Sequence, residues 1–354
     1  MSPATDLHLR YADMPGVLYT LGISLVKWPD LRRCFPGRKL IRLHQNDVLP
    51  ADAWIVAWGL TPLPAGLPPT VTVLRLEDGF LRSVGLGVDL VRPLSWVMDR
   101  QGIHFDATRP SDLESLLATK DFDAQLRRRA AALRERIVAE QVTKYNVGSE
   151  RWRRPRGLSR VILVPGQVPT DAAMSFATRR PATNMALLRA VRTENPDAYV
   201  VYKVHPDIVA RMRIQQESVT EIQAWCDEVV GDVNMAELLG LVDEVHVMTS
   251  LTGFEALLRG LPVTCYGRPF FSGWGLTRDL HSPTERRQRR LELDELVAGA
   301  LIDYPLYLNR HGTGLLTPEQ ALDTLSVQRR RRKPGGDWWR EPYRMVLRRL
   351  VGVR

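Results

Sequence analysis

The chain lacks most of the signatures that fix a function at once. Three cysteines occur in 354 residues, Cys34, Cys226 and Cys265. Their scatter has no metal-type spacing, and a reducing compartment is the simplest setting for them. The histidines are isolated from one another in sequence, so metal catalysis is not expected. There is no GxxxxGK[ST] motif, and no GxGxxG follows a strand-like run. This disfavours ATP hydrolysis and a standard dinucleotide site. No apolar run approaches the ~20 residues of a membrane-spanning helix. The N-terminal residues lack the basic-then-apolar pattern of a secretion signal, so a cytoplasmic location is expected.

Charge is present but unevenly placed. Of a net charge of +9, residues 329–354 hold ten Lys/Arg against two Asp/Glu, an excess of +8. The remaining body is close to neutral, which argues against the basic face of a nucleic-acid binder. The tail points instead to an anionic membrane surface. Trp338, Trp339 and Tyr343 suit the interface, and Met345, Leu347, Leu350 and Val351 suit partial insertion. The other reading is a helix packed back on the N-terminal domain.

The length suits two domains of roughly 150 residues. Strand-like runs at 17–27, 39–43, 53–58 and 70–76 alternate with loops and helical segments, as in a parallel α/β sheet. Residues 94–99 and 103–106 read as a hairpin-like insertion. Helical spacing follows over 113–117 and 122–141, with Arg127, Arg128 and Arg129 on a solvated face. Residues 144–160 are basic and bear Pro and Gly, as in an interdomain linker. A second α/β pattern then runs through strands at 161–164, 198–202, 245–248 and 262–266, with helices at 183–193, 219–225, 235–241, 291–301 and 318–326. The expected organisation is an N-terminal Rossmann-like domain over 1–155, a C-terminal one over 156–328 and a basic amphipathic tail over 329–354. The fold class is α/β, with two Rossmann-like domains and the active site in the cleft between them.

Four clusters fall at expected strand ends. Glu77-Asp78-Gly79 could supply a carboxylate that takes a proton from an acceptor hydroxyl, or form a plain turn, since Asp-Gly is a common turn pair. Asp171, after strand 161–164, could act as a nucleophile or stabilise a cationic transition state, or cap the next helix. Lys203 and His205 are two apart on a strand and so point the same way. Together with the adjacent Pro206 they suit a leaving phosphate, with His205 as proton donor. Thr249, Ser250, Thr252 and Gly253 open a helix whose N–H groups, hydroxyls and dipole suit an anion. The alternative is an ordinary βαβ unit with polar caps.

These residues lie in segments that resemble the capsule-synthesis glycosyltransferases of KpsC type, which transfer β-linked Kdo from CMP-Kdo. The segments are LEDGFLRSVGLG (76–87), PLSWVMDRQGIHFDATRPSDLE (93–114), TKYNVG (143–148), ILVPGQVPTDAA (162–173), NPDAYVVYKVHPD (195–207), VDEVHVMTSLTGFEALLRG (242–260) and VTCYGRPFFSGWGLT (263–277). They cover most of residues 70–280 in family order. Two-module members carry two such transferases in one chain, and this chain looks more like their C-terminal module. The resemblance implies a GT-B fold, a CMP-activated donor and retention of anomeric configuration. It makes Asp171 the nucleophile and Glu77 the cleft glutamate, with Asp78 and Arg82 on the acceptor side. On the donor side it places Gly166, Gln167, Lys203, His205, Pro206, Thr249, Ser250, Thr252 and Gly253, with Glu255 accepting hydrogen bonds from the cytidine ribose. Similar modules read GQVEDDAS where this chain has residues 166–173, so Asp171 stands as the only acid of its loop.

The resemblance further implies a glycolipid or saccharide acceptor, a location peripheral to the inner membrane, and capsule-assembly proteins as partners. Neither a metal nor a cofactor is expected. Transfer of sialic or another ulosonic acid from CMP, and a non-catalytic assembly or export factor, are the competing readings.

Overall fold

The computed structural model describes residues 13–44, 47–87, 91–168, 183–206, 221–281, 284–312 and 314–331. Among them, the strands form two sheets. The first contains β1 (Val17–Leu21), β2 (Lys39–Arg42), β3 (Trp54–Trp58), β4 (Thr72–Asp78), β5 (Ser95–Asp99), β12 (Pro305–Leu308) and β13 (Leu315–Leu316). Its order is β13-β12-β5-β4-β3-β1-β2. The four strands from β2 to β4 are mutually parallel, while β5 runs antiparallel to β4 and β12. The sheet is therefore mixed.

The second sheet contains β6 (Val161–Pro165), β7 (Tyr199–Lys203), β8 (Glu228–Val230), β9 (Glu244–Val247), β10 (Val263–Cys265) and β11 (Arg278–Asp279). It is parallel throughout, in the order β11-β10-β9-β6-β7-β8. Counted from β6, that is the order 3-2-1-4-5-6 of doubly wound nucleotide-binding sheets, whose switch point lies between the first and fourth strands. Every residue of VILVP in β6 is buried. Val161 and Leu163 join one apolar cluster and Ile162 and Val164 another. A strand covered on both faces reads as a continuous apolar run, which explains its sequence.

Three expectations are corrected. Residues 94–99 and 103–106 form no hairpin-like insertion: β5 is fully buried between β4 and β12, and 103–106 is a turn closed by Asp106 N–H on the Ile103 carbonyl. The partner β12 lies some two hundred residues further on, so local pattern could not reveal it. It also lies in the segment assigned to the second domain, yet pairs in the first sheet. The segment 144–160 is no free linker. Glu150 bridges to Val233, Trp152 is buried with its Nε1 on Glu228, and Arg154 grips Asp243 through two nitrogens at 2.7 and 2.9 Å. Finally, the arginine face of helix Ala124–Ala139 is not only solvated. Arg129 forks onto Glu319 at 2.7 and 3.0 Å, and Arg127 reaches Glu292.

Candidate active site

The second sheet builds its half of the site at the switch point. β6 ends at Pro165 and is followed by Gly166 and Gln167. The Gly166 N–H donates to the Lys203 carbonyl at 2.8 Å. A Cβ at residue 166 would fall 2.4 Å from the Tyr202 hydroxyl, so only glycine fits this close approach. Gln167 is buried and crosses to the loop after β9. Its Nε2 donates to Thr249 Oγ1 at 2.9 Å, and its Oε1 accepts the Thr249 N–H at 3.0 Å. Its backbone N–H and carbonyl are held by the Asn184 side chain at 3.0 and 2.8 Å. The two strand ends that flank the switch point are thus braced through one side chain.

The helix after β9 begins at Thr252 and has seven residues, all buried. Thr249 and Ser250 stand in the turn before it. Here the expected array of open N–H groups is modified. Thr252 N–H turns to Ser250 Oγ at 3.3 Å and Gly253 N–H to the Ser250 carbonyl at 3.0 Å. Ser250 Oγ also donates to Thr252 Oγ1 at 3.2 Å. The hydroxyls of Ser250 and Thr252 are therefore adjacent. Gly253 is required because a Cβ would meet the Phe271 ring at 2.7 Å.

Lys203 and His205 are seen with different neighbours. The Lys203 ammonium donates to the Gly231 carbonyl at 2.7 Å and is 4% exposed. Burial lowers it to about 8, against the raising charges of Asp232 and Glu150. The strand ends at Lys203, so the two-residue alternation no longer governs His205. His205 is half-buried, with its ring 6.4 Å from Tyr145 and edge-on to it. Pro206 follows, at the limit of the described residues. Asp171 lies outside them.

The first sheet supplies the acidic half. Glu77 and Asp78 end β4. Burial and the neighbouring Asp78 charge raise the Glu77 carboxyl to about 7, while the Asp78 N–H, Lys27 and Lys144 act in the opposite sense. Asp78 Oδ2 is paired with Arg82 Nε at 2.6 Å, and its Oδ1 is buried without a hydrogen-bond partner among the described residues. Arg82 also donates to Ser83 Oγ at 2.7 Å.

Residues 143–146 join the halves. Ser83 and Gly85 donate backbone N–H groups to the Lys144 and Tyr145 carbonyls at 3.1 and 2.8 Å. Asn146 Nδ2 donates to the Ser83 carbonyl at 3.0 Å. From the other side, Glu255 Oε1 accepts the Lys144 N–H at 2.7 Å. Glu255 is buried, and desolvation raises its carboxyl. It thus holds the crossing segment. The Tyr145 ring has the Arg82 guanidinium 5.6 Å away, Lys144 Nζ 5.2 Å away and His205 at its edge. Below, Phe80 stacks on Phe270 at 4.7 Å, with Phe254 and His104 around them. Desolvation, aided by Lys144, lowers His104 to about 3, so it is neutral. The sequence reading missed Lys27, Lys144 and Tyr145 as parts of this site. Lys144 and Tyr145 lie in TKYNVG, but nothing local links them to Glu77. Among the described residues no cluster of three or more His, Cys, Asp or Glu side chains could hold a metal ion.

The class of molecule is a two-sheet α/β protein whose second sheet has a nucleotide-binding strand order. The model of the family described as capsule polysaccharide biosynthesis protein matches residues 68–146 and 124–307. The chain belongs to that family. Capsule polysaccharide modification protein LipA of Neisseria meningitidis serogroup B is 42% identical over 332 residues, covering 90% of this chain and 46% of the relative. Lipopolysaccharide-processing protein LpsZ of Rhizobium meliloti is 42% identical over 282 residues, covering 77% of this chain and 64% of the relative. The chain therefore spans about half the length of LipA, at 46%. Among solved structures, a Thermosulfurimonas dismutans KpsC β-Kdo 2,7 transferase matches with a TM-score of 0.72 at 37% identity, covering 88% of this chain and 99% of that one. A KpsC β-Kdo 2,4 transferase of the same organism matches with a TM-score of 0.73 at 29% identity, covering 89% and 100%. The chain has a KpsC-like fold. No helix among the described residues is long and apolar enough to cross a membrane.

Proposed function

We propose that the protein is a retaining glycosyltransferase that moves β-Kdo from CMP-Kdo to a Kdo-terminated or other saccharide acceptor in capsule or surface-polysaccharide synthesis. In this reading the two sheets are the two Rossmann-like domains of a GT-B enzyme, and the reaction runs in the cleft between them. The observation that carries the proposal is the placement of Glu77. Its carboxyl sits at a strand end, poised near neutrality as a general base should be. Tyr145 connects that acidic half to His205 of the switch-point half. The likeness to two KpsC β-Kdo transferases supports the sugar and the reaction class.

The chemistry follows from the donor. Kdo carries a carboxylate beside its anomeric carbon, and its leaving group is the CMP phosphate. The Asp171 carboxylate attacks the anomeric carbon, and the carbon–oxygen bond to CMP breaks with its electron pair on the phosphate. His205 and the hydroxyls of Ser250 and Thr252 stabilise that phosphate. An acceptor hydroxyl then displaces Asp171 while its proton passes to Glu77. Two inversions leave the configuration retained. Lys203 acts from behind, holding the Gly231 carbonyl. Glu255 fixes residues 143–146, and a contact to the cytidine ribose would use its remaining oxygen. No metal or cofactor enters this scheme.

The test is a mass-spectrometric transfer assay with CMP-Kdo generated in place and a synthetic Kdo-terminated glycolipid. A gain of one Kdo, lost in Asp171→Ala, is expected. Normal turnover by that variant would sink the role of Asp171. No gain, but saturable CMP binding, would redirect the reading to another ulosonic acid. The tail is assigned to an anionic cytoplasmic leaflet, each arginine contributing roughly 1 kcal/mol near such a surface. Its Arg329–Arg331 end the helix Pro318–Arg331, and 332–354 lie outside the described residues. Co-sedimentation with phosphatidylglycerol vesicles should be lost on removing 332–354.

A further inference from the structure

We propose that Lys27 recognises a carboxylate on the acceptor sugar and, with Trp58, sets that sugar beside Glu77. The inference rests on the transferase reading above and assigns part of its acceptor side.

Lys27 closes the short turn Leu25–Lys27 that follows β1. Its ammonium lies 2.9 Å from the centroid of the Trp58 ring. Trp58 ends β3, and Glu77 is the penultimate residue of β4. Trp58 and Glu77 thus stand at the carboxyl ends of adjacent parallel strands, and Lys27 reaches them from the turn beyond the next one. The Trp58 end is held firmly. Gly59 N–H donates to the Leu76 carbonyl at 2.8 Å, and Arg75 Nη1 donates to the Gly59 and Thr61 carbonyls at 3.1 and 2.8 Å.

Lys27 is half-buried, and among the described residues its ammonium forms no ion pair. Burial lowers the ammonium below its ordinary value; the nearby charges of Asp78 and Glu77 favour it, and Arg82 opposes it. Asp78, however, already holds Arg82 at 2.6 Å. The result is a partly desolvated cation resting on an aromatic face, with no carboxylate fixed to it. Such a group gains most when an anion arrives. An acidic sugar supplies the missing carboxylate, and the indole face seats the ammonium that receives it. The buried Asp78 Oδ1 is a further unmet acceptor at this site, suited to a sugar hydroxyl.

Wild type, Lys27→Met and Lys27→Arg would be assayed with CMP-Kdo and two acceptors. One is a synthetic Kdo-terminated glycolipid, and the other is the same glycolipid with its terminal carboxylate converted to a carboxamide. The quantity read is the ratio of kcat/KM for the two, which does not depend on the folded fraction of a variant. Wild type is expected to favour the acid on the order of 10- to 100-fold, the effect of one charge-assisted hydrogen bond. The ratio should fall toward unity in Lys27→Met and recover in part in Lys27→Arg, which keeps the charge with a different geometry. A role confined to supporting Trp58 would lower both acceptors alike and leave the ratio unchanged. A preference that survives in Lys27→Met, or a wild type with no preference, overturns the assignment and leaves the transferase reading intact. No transfer by wild type to either acceptor overturns the transferase reading, and the Lys27 assignment with it.

Discussion

Glu77 is the residue at which burial and the proposed chemistry meet. Its carboxyl rests at about 7 because desolvation and Asp78 outweigh Lys27, Lys144 and the Asp78 N–H. In its proposed role as a base it works only when ionised, so on that reading transfer should rise with pH through about 7. Glu77→Gln should lower kcat by about 10²- to 10⁴-fold and abolish that limb of the profile, as steady-state assays from pH 5.5 to 8.5 would show. The same shift has a stability sign. The folded state binds this proton more tightly than the unfolded chain, so stability falls as pH rises from the ordinary carboxylate value to about 7. Glu77→Gln removes the ionised form and should raise Tm at pH 8 but not at pH 4.5, by about 1–2 °C for each kcal/mol relieved in a chain of this length. Scanning calorimetry at the two values checks it. The strand-end placement of Glu77 was legible because it closes a β-rich run two residues before a glycine. The direction of Lys203 was not. Its partner, the Gly231 carbonyl, comes from a turn after β8, and two-residue alternation says nothing of where a long side chain ends.

At the scale of elements, the switch point depends on two features that a strand–loop–strand pattern hides. Gly166 fits under Tyr202, and Gln167 braces the loops after β6 and β9. Gly166→Ala would drive a methyl into the Tyr202 hydroxyl, at a cost of about 1–3 kcal/mol. Removing that hydroxyl with Tyr202→Phe should return part of the loss, and urea melts of the two single variants and the double measure the coupling. Gln167→Leu leaves the buried Thr249 N–H unpaired, with an expected destabilisation of about 1–3 kcal/mol. It should also weaken CMP binding by calorimetric titration, since the loops it joins carry Thr249 and Ser250. An unchanged CMP affinity would detach the brace from the donor site. The second sheet was largely legible because β6 and β7 are apolar runs and β9 and β10 carry buried valines within short β-rich segments. Strands β8, β11, β12 and β13 were missed because they have two to four residues and little pattern of their own. Their pairing is fixed by partners far along the chain, as with β12 against β5.

At the scale of the whole molecule, the sequence suggested two domains joined by a linker, whereas the packing couples them. One apolar cluster runs from Phe80, Leu81 and Val97 through Val161, Val247 and Phe254 to Leu322 and Leu325. It therefore includes strands of both sheets and the helix Pro318–Arg331. Glu114, on the helix Asp112–Thr119, is 6% exposed. It receives Arg287 Nε at 2.8 Å and Arg286 Nε at 2.5 Å, from the stretch that follows β11. Arg287 is itself 5% exposed and donates to the Pro269 and Ser272 carbonyls at 2.6 and 2.9 Å. Removing the single carboxylate leaves two guanidinium charges at this junction, one of them deeply buried, without the carboxylate they share. Glu114→Ala should accordingly cost about 3–5 kcal/mol. The continuous core makes a further demand on the same experiment. If the sheets unfold as one cooperative unit, urea curves followed by far-UV circular dichroism and by tryptophan fluorescence should coincide in wild type and move together to lower denaturant in the variant. Two separated transitions in wild type, only one of which shifts in Glu114→Ala, would show that each sheet melts by itself and that the shared core contributes little to their coupling.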